Sequence, residues 1–133
     1  MDKAYKPQGY NSVSPYFIVD GADKLIDILM QIFDAELLRK FEFPDGTILH
    51  AEIRIDDSVL MFGNSSDAVR QNKLSTHIYV PNVDAIFRKA INSGCEIVES
   101  PKEREGDPEK RGSFRDFAGN IWSIATHIGD PEE

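Results

Sequence analysis

Apolar residues along the chain recur with two periods. In Ala22–Phe33, Leu25, Ile26, Leu29, Ile32 and Phe33 fall at helical spacing and predict a helix with one buried stripe. Val83–Ser93 predicts a second helix, with Val83, Ile86, Phe87, Ala90 and Ile91 on its apolar face and Gly94 as its stop. Short apolar or alternating runs predict strands at Val13–Val19, Glu36–Phe43, Ser75–Val80, Cys95–Glu99, Ser113–Asp116 and Ile121–His127. Thr47–Asn64 reads as two further strands joined by a tight turn at Asp56-Asp57. Turn signals stand at Asp20-Gly21 and Pro44–Gly46. The polar stretch 1–12 reads as a flexible arm, and Ser65–Leu74 as a linker. Pro101–Gly112 reads as a mobile charged loop, and the last five residues as a frayed tail.

The element order is therefore strand-helix-strand-strand-strand, a linker, and the same order again. Val19–Asp23 superposes on Val80–Asp84, and matching helical stripes follow. The expected fold is α+β: two tandem β-α-β-β-β modules, at 13–64 and 75–128, joined by the linker 65–74 into one domain. Each module covers one sheet face with its own helix. The other face needs a partner, so two modules are expected to form a curved mixed sheet around a cleft, or four to do so across a homodimer.

The hairpin supplies the candidate chemistry. A two-residue turn at Asp56-Asp57 pairs Ile55 with Ser58, Ile53 with Leu60, Glu52 with Met61, Ala51 with Phe62 and His50 with Gly63. One face then carries Ala51, Ile53, Leu60 and Phe62, which wants a helix packed on it. The other carries His50, Glu52, Arg54, Val59, Met61 and Gly63, a mixture that reads as the lining of a cleft.

Composition narrows the function classes. The 133 residues carry 15 basic and 23 acidic side chains, a net charge of −8, which argues against nucleic acid and anionic membranes as partners. The single Cys95 rules out an internal disulfide and a cysteine-cluster metal site; next to Gly94 it reads as a small buried residue. The first residues lack an apolar signal core and no run approaches membrane-spanning length, so the expected location is the cytoplasm.

Four stretches match a known pattern: S-P-Y-F-I-V-D-G-A at Ser14–Ala22, H-A-E-I-R-I-D-D-S-V-L-M at His50–Met61, H-I-Y-V at His77–Val80 with V-D-A after it, and D-F-A-G-N-I-W-S-I-A-T-H at Asp116–His127. On them the chain resembles the glyoxalase/bleomycin-resistance/dioxygenase (vicinal oxygen chelate) superfamily, and within it the PhnB-like group. The resemblance implies the fold described above. Function stays open, since the superfamily hosts isomerases, dioxygenases, lyases and drug-sequestering proteins.

The four metal-ligand positions of the metalloenzymes carry over to Ser14 or Tyr16, to Met61, to His77 and to Ser123. Only His77 suits a divalent transition metal. The expectation is no metal and no other cofactor, with a small molecule bound in the inter-module cleft by Tyr16, His50, Glu52, Met61, His77 and Ser123. The competing expectation is a divalent-metal enzyme of glyoxalase or dioxygenase type, with His77, His50 and Glu52 as ligands. A third is a metal-free lyase or isomerase with Glu52 or His77 as general base. Trp122 is expected in the core, Tyr16 and Tyr79 on the cleft side, and Arg54, Arg115 and His127 in solvent. In the PhnB-like pattern a D-R-containing segment precedes the penultimate strand; E-R-E-G-D-P-E-K-R-G stands there instead.

Overall fold

The computed structural model describes residues 4–129. They divide into two compact units, with the boundary between Asn72 and Lys73. The first holds β1 (Tyr16–Val19), α1 (Ala22–Phe33), β2 (Glu36–Glu42), β3 (Ile48–Ile55) and β4 (Ser58–Asn64). The second holds β5 (Ser75–Tyr79), α2 (Val83–Asn92), β6 (Glu96–Lys102), β7 (Glu109–Arg115) and β8 (Ile121–His127). Each unit has its own four-stranded mixed sheet, in the order β1-β4-β3-β2 and β5-β8-β7-β6. The first strand of each unit runs parallel to the last, and the other pairings are antiparallel. The fold is the expected α+β tandem of β-α-β-β-β modules.

The hairpin of the first unit has the register counted from the sequence, from Ile55 opposite Ser58 to Ala51 opposite Phe62. Asp56 takes a positive φ of 54°, which the tight turn requires. Ala51, Ile53, Leu60 and Phe62 are buried, as are Leu25, Ile26, Leu29, Ile32 and Phe33 of α1, which packs on β3 and β4. Phe17 stacks on Phe62 with ring centroids 5.1 Å apart. Burying each such large side chain is worth about 1.5–3 kcal/mol.

The two units start their helices alike. The Ala22 amide donates to Asn64 Oδ1 at 2.9 Å, and the Val83 amide to Thr126 Oγ1 at 2.9 Å. Asn64 and Thr126 each stand near the end of the last strand of their unit, so the sheet itself supplies an acceptor for an amide left unpaired in the first turn.

In the second unit Trp122 is fully buried, as expected for core. Its Nε1 donates to Asp116 Oδ2 at 2.9 Å, and the Ala118 and Asn120 amides donate to Asp116 Oδ1. Asp116 is 4% exposed, so this carboxylate exchanges water for donors from Ala118, Asn120 and Trp122 and fixes the D-F-A-G-N turn under the core tryptophan.

Pro101–Gly112, read from the sequence as a mobile loop, is strand at both ends and loop only in its middle half. Pro101 and Lys102 end β6, β7 begins at Glu109, and six residues lie between them. Glu109, Lys110 and Arg111 pair with His127, Thr126 and Ala125. Their charges are met locally: Lys110 Nζ lies 2.7 Å from Asp84 and Arg111 2.6 Å from Asp107. Charge density misled the reading, because a strand needs ladder partners and neutralised side chains rather than apolar ones. Pro101 is tolerated because β6 is a sheet edge. A Cβ at Gly112 would come within 3.0 Å of Pro101, so this glycine allows the close approach.

The supposed arm and linker also make specific contacts. Residues 1–3 and 130–133 lie outside the described residues. Asn11 accepts from the Val59 amide at 3.2 Å, and Arg54 donates to the Gly9 carbonyl at 3.3 Å. In the linker, Asn72 brackets the outer edge of β1. Its Oδ1 accepts from the Ile18 amide, its Nδ2 donates to the Tyr16 carbonyl and its own amide donates to the Ile18 carbonyl.

Candidate functional site

The first unit contains an open cavity of about 870 Å³. Tyr16 and Ile18 of β1, Leu49 of β3 and Val69 beyond β4 are among its walls, and Phe43 and Pro44 close it from the β2–β3 turn. Two local features shape it. Phe41 pairs with His50 and Glu42 with Ile48, so one step on β2 spans two on β3 and Leu49 is the extra residue of a bulge. Ile48 is therefore fully buried while Leu49 is 50% exposed and faces the cavity. Gly63 does the rest. A Cβ there would stand 3.2 Å from the Leu49 carbonyl, a tight approach, and 3.4 Å from Tyr16 Oη, so glycine lets the Leu49 bulge and the Tyr16 ring both come close to the strand.

A chain of hydrogen bonds runs from this wall into the sheet. Tyr16 Oη lies 2.9 Å from His50 Nδ1, and His50 Nε2 lies 2.8 Å from Glu52 Oε2. The Tyr10 hydroxyl donates to Glu52 Oε1, and Arg39 Nε stands 3.6 Å from the same oxygen. The Arg39 guanidinium also lies over the Tyr10 ring, 5.3 Å from its centroid. A carboxylate only accepts, so Nε2 carries a proton toward Glu52; in neutral imidazole Nδ1 is then the acceptor and Tyr16 the donor.

Glu52 is 3% exposed. Burial opposes its ionisation and is the largest single influence, but the bonds from Tyr10 and His50 and the charge of Arg39 together outweigh it. The carboxyl consequently titrates below its ordinary value. The Tyr16 phenol moves the other way, raised by burial and then by the Glu52 charge, and Tyr10 is raised first by its bond to Glu52. At neutral pH the chain therefore holds one anion, Glu52, and two protonated phenols.

Four of the six residues expected to bind ligand, Tyr16, His50, Glu52 and Met61, share one face of the first sheet. His77 and Ser123 share one face of the second. Tyr16 stands opposite Met61 and His77 opposite Ser123, in equivalent places of the two units. The repeat thereby settles the choice between Ser14 and Tyr16 in favour of Tyr16. His77 Nδ1 lies 3.1 Å from Ser123 Oγ, and its ring meets Tyr79 edge-on at 4.9 Å. Cavity-lining Leu49 and Phe43, and Tyr10 over Glu52, escaped the sequence reading.

These positions do not fit the superfamily's metal. Tyr16 is bonded to His50, Met61 is a soft thioether, and Ser123 is a neutral hydroxyl. Among the described residues no group of three His, Cys, Asp or Glu side chains converges on one point. His50 and Glu52, the other ligands considered, face each other.

No protein-family model matches the chain. An uncharacterised protein of Mycobacterium bovis is 32% identical over 129 residues, covering 88% of this chain and 84% of the relative. A Mycobacterium tuberculosis protein matches to the same identity. The chain belongs to one family with these mycobacterial proteins. Solved structures show the fold. A PhnB protein of Bacillus cereus superposes with a TM-score of 0.72 at 16% identity, over 87% of this chain and 99% of that one. A glyoxalase/bleomycin resistance/dioxygenase superfamily member from Sphaerobacter thermophilus gives 0.67 at 13% identity, over 86% and 94%. The fosfomycin resistance protein FosX of Listeria monocytogenes gives 0.64 at 20% identity, over 92% of each chain. The fold is that of the vicinal oxygen chelate superfamily. No helix among the described residues is long and apolar enough to cross a membrane.

Proposed function

We propose that this vicinal oxygen chelate protein binds a small apolar or amphipathic molecule in the cavity of its first unit, without a metal, and works as a cytoplasmic homodimer. The cavity carries the reading. Its volume of about 870 Å³ lies in the range of small-molecule sites, and an apolar wall with a few polar points is their usual composition. Ile18, Phe43, Leu49 and Val69 offer the body of a ligand apolar contact, and Tyr16 Oη offers it one oriented polar partner. The structure of Listeria FosX is a complex with manganese and a dihydroxypropylphosphonic acid. The lining here supports a different chemistry, apolar contact with Tyr16 and a rim of Asp45, Thr47, Asn64, Ser65 and Ser66 as its polar groups.

Titration with the neutral fluorophore N-phenylnaphthylamine, in chelator, tests the reading. Saturable binding of one probe per chain is expected, weakened at least about tenfold by Ile18→Glu or Leu49→Glu, a loss of about 1.4 kcal/mol. Absence of saturable binding, or binding only after a divalent metal is added, overturns it.

A further inference from the structure

Tyr16 lines the cavity, and its hydroxyl is the first group of a hydrogen-bonded relay. With His50 neutral and its Nε2 proton directed at Glu52, the Tyr16 proton points at His50 Nδ1, 2.9 Å away, and the oxygen has lone pairs to offer a ligand. His50 is in turn held by Glu52 at 2.8 Å, a carboxylate fixed by Tyr10 and flanked by Arg39. A carboxylate behind an imidazole selects its tautomer and stabilises it once charged. If His50 becomes an imidazolium, both its nitrogens donate, Tyr16 turns its own proton toward the cavity, and the wall changes from acceptor to donor.

We infer that the cavity takes compounds with an acidic hydroxyl on an apolar body, phenols or enols, and binds them as anions by passing their proton through Tyr16 to His50. The inference rests on the cavity being a binding site, and names the ligand class it takes. The ligand O–H bond breaks and its proton goes to Tyr16 Oη. The Tyr16 proton goes to His50 Nδ1. The products are a bound oxyanion accepting from Tyr16 and an imidazolium accepted by Glu52, and no proton is exchanged with solvent. The ligand's bond to Tyr16 then becomes charge-assisted, and the His50–Glu52 bond, already made to an anion, becomes an ion pair. The ionisable groups facing it are Glu52 on β3, Arg39 on β2, Tyr10 before β1 and Tyr16 itself. Asp45 lies at the cavity, engaged by the Thr47 amide and hydroxyl.

Para-nitrophenol is the probe, because its phenolate is yellow and its phenol is not. It is added to protein carrying N-phenylnaphthylamine, at a pH where free para-nitrophenol is protonated. The expected result is displacement of the fluorophore and appearance of the phenolate band. Tyr16→Phe and His50→Gln, each shown to be folded by circular dichroism, should cut the bound phenolate at least about tenfold, the scale of one hydrogen bond to a charge. Displacement without the phenolate band overturns the inference, and so does a band that persists in both variants. Fluorophore binding that para-nitrophenol leaves undisturbed overturns it while leaving the cavity reading intact. Failure of the fluorophore itself to bind overturns both.

Discussion

Tyr10, His50 and Arg39 all converge on Glu52 in a site 3% exposed. Removing its charge while keeping its shape leaves three groups with a weaker partner, and Glu52→Gln is expected to cost about 1–3 kcal/mol at neutral pH. The pH dependence follows from the lowered carboxyl. The fold favours the ionised form, so the contribution is whole above the unfolded-state value and disappears as pH falls through the folded-state value. Urea midpoints measured from neutral to acid pH should therefore fall in the wild type and fall less in Glu52→Gln; parallel curves would deny Glu52 this role. Cys95 makes a second case. Burial, then the Asp116 charge, pushes its thiol up to about 11, so it should resist thiol reagents at neutral pH until urea unfolds the chain, and rapid native labelling would contradict its placement. The sequence exposed part of this picture. Strict alternation from the Asp56-Asp57 turn put His50, Glu52 and Met61 on one face. The same alternation hid Leu49, because a bulge adds a residue without any compositional mark. Tyr10 was hidden because a polar segment held by single hydrogen bonds has no period to read.

Among the elements, the helices were the most legible, since a stripe such as Leu25, Ile26, Leu29, Ile32 and Phe33 needs only a core to face. The β7 strand was the least, because Lys110 and Arg111 answer to Asp84 and Asp107, and Asp84 is 26 residues away along the chain. Elements held by polar anchors invite a direct test. Asp116 accepts from Trp122 Nε1 and from two amides of its turn, so Asp116→Ala leaves buried donors unpaired at the junction of β7 and β8. A loss of about 3 kcal/mol is expected in urea unfolding, with a shift in the emission of Trp122, the only tryptophan. A change below about 1 kcal/mol would mean that water replaces the carboxylate at little cost. Gly63→Ala tests the other unit. The new methyl meets the Leu49 carbonyl at 3.2 Å, so the Leu49 bulge must give by a few tenths of an ångström, while Tyr16 Oη at 3.4 Å stays in ordinary contact. Weaker fluorophore binding with a nearly unchanged urea midpoint is expected, and unchanged binding would mean that the bulge yields without disturbing the cavity wall.

At the scale of the molecule, the duplicated strand-helix order was visible because it depends only on where periods change, and the two sheets repeat it strand for strand. Association is less visible from sequence, yet the edges of the two sheets bear on it. The edge strands β2 and β6 carry Leu37, Phe41, Ile97 and Val98, each at least 42% exposed, beside backbone groups with no further strand to pair with among the described residues. Both strands also carry charge, Glu36, Arg39, Lys40 and Glu42 on β2 and Glu96, Glu99 and Lys102 on β6, so it is their exposed apolar side chains rather than bare backbone edges that a second chain would cover. Charge sets the opposing force, since two copies bring a net −8 each. Sedimentation equilibrium should therefore return twice the 15.0 kDa chain mass, with tighter association as salt screens the repulsion over a Debye length of about 10 Å at 0.1 M. Phe41→Glu or Ile97→Glu should shift the protein toward monomer, each adding an anion to the edge it removes an apolar contact from. A wild-type monomer at every salt concentration would leave these edges without a partner and remove the homodimer from the proposed function.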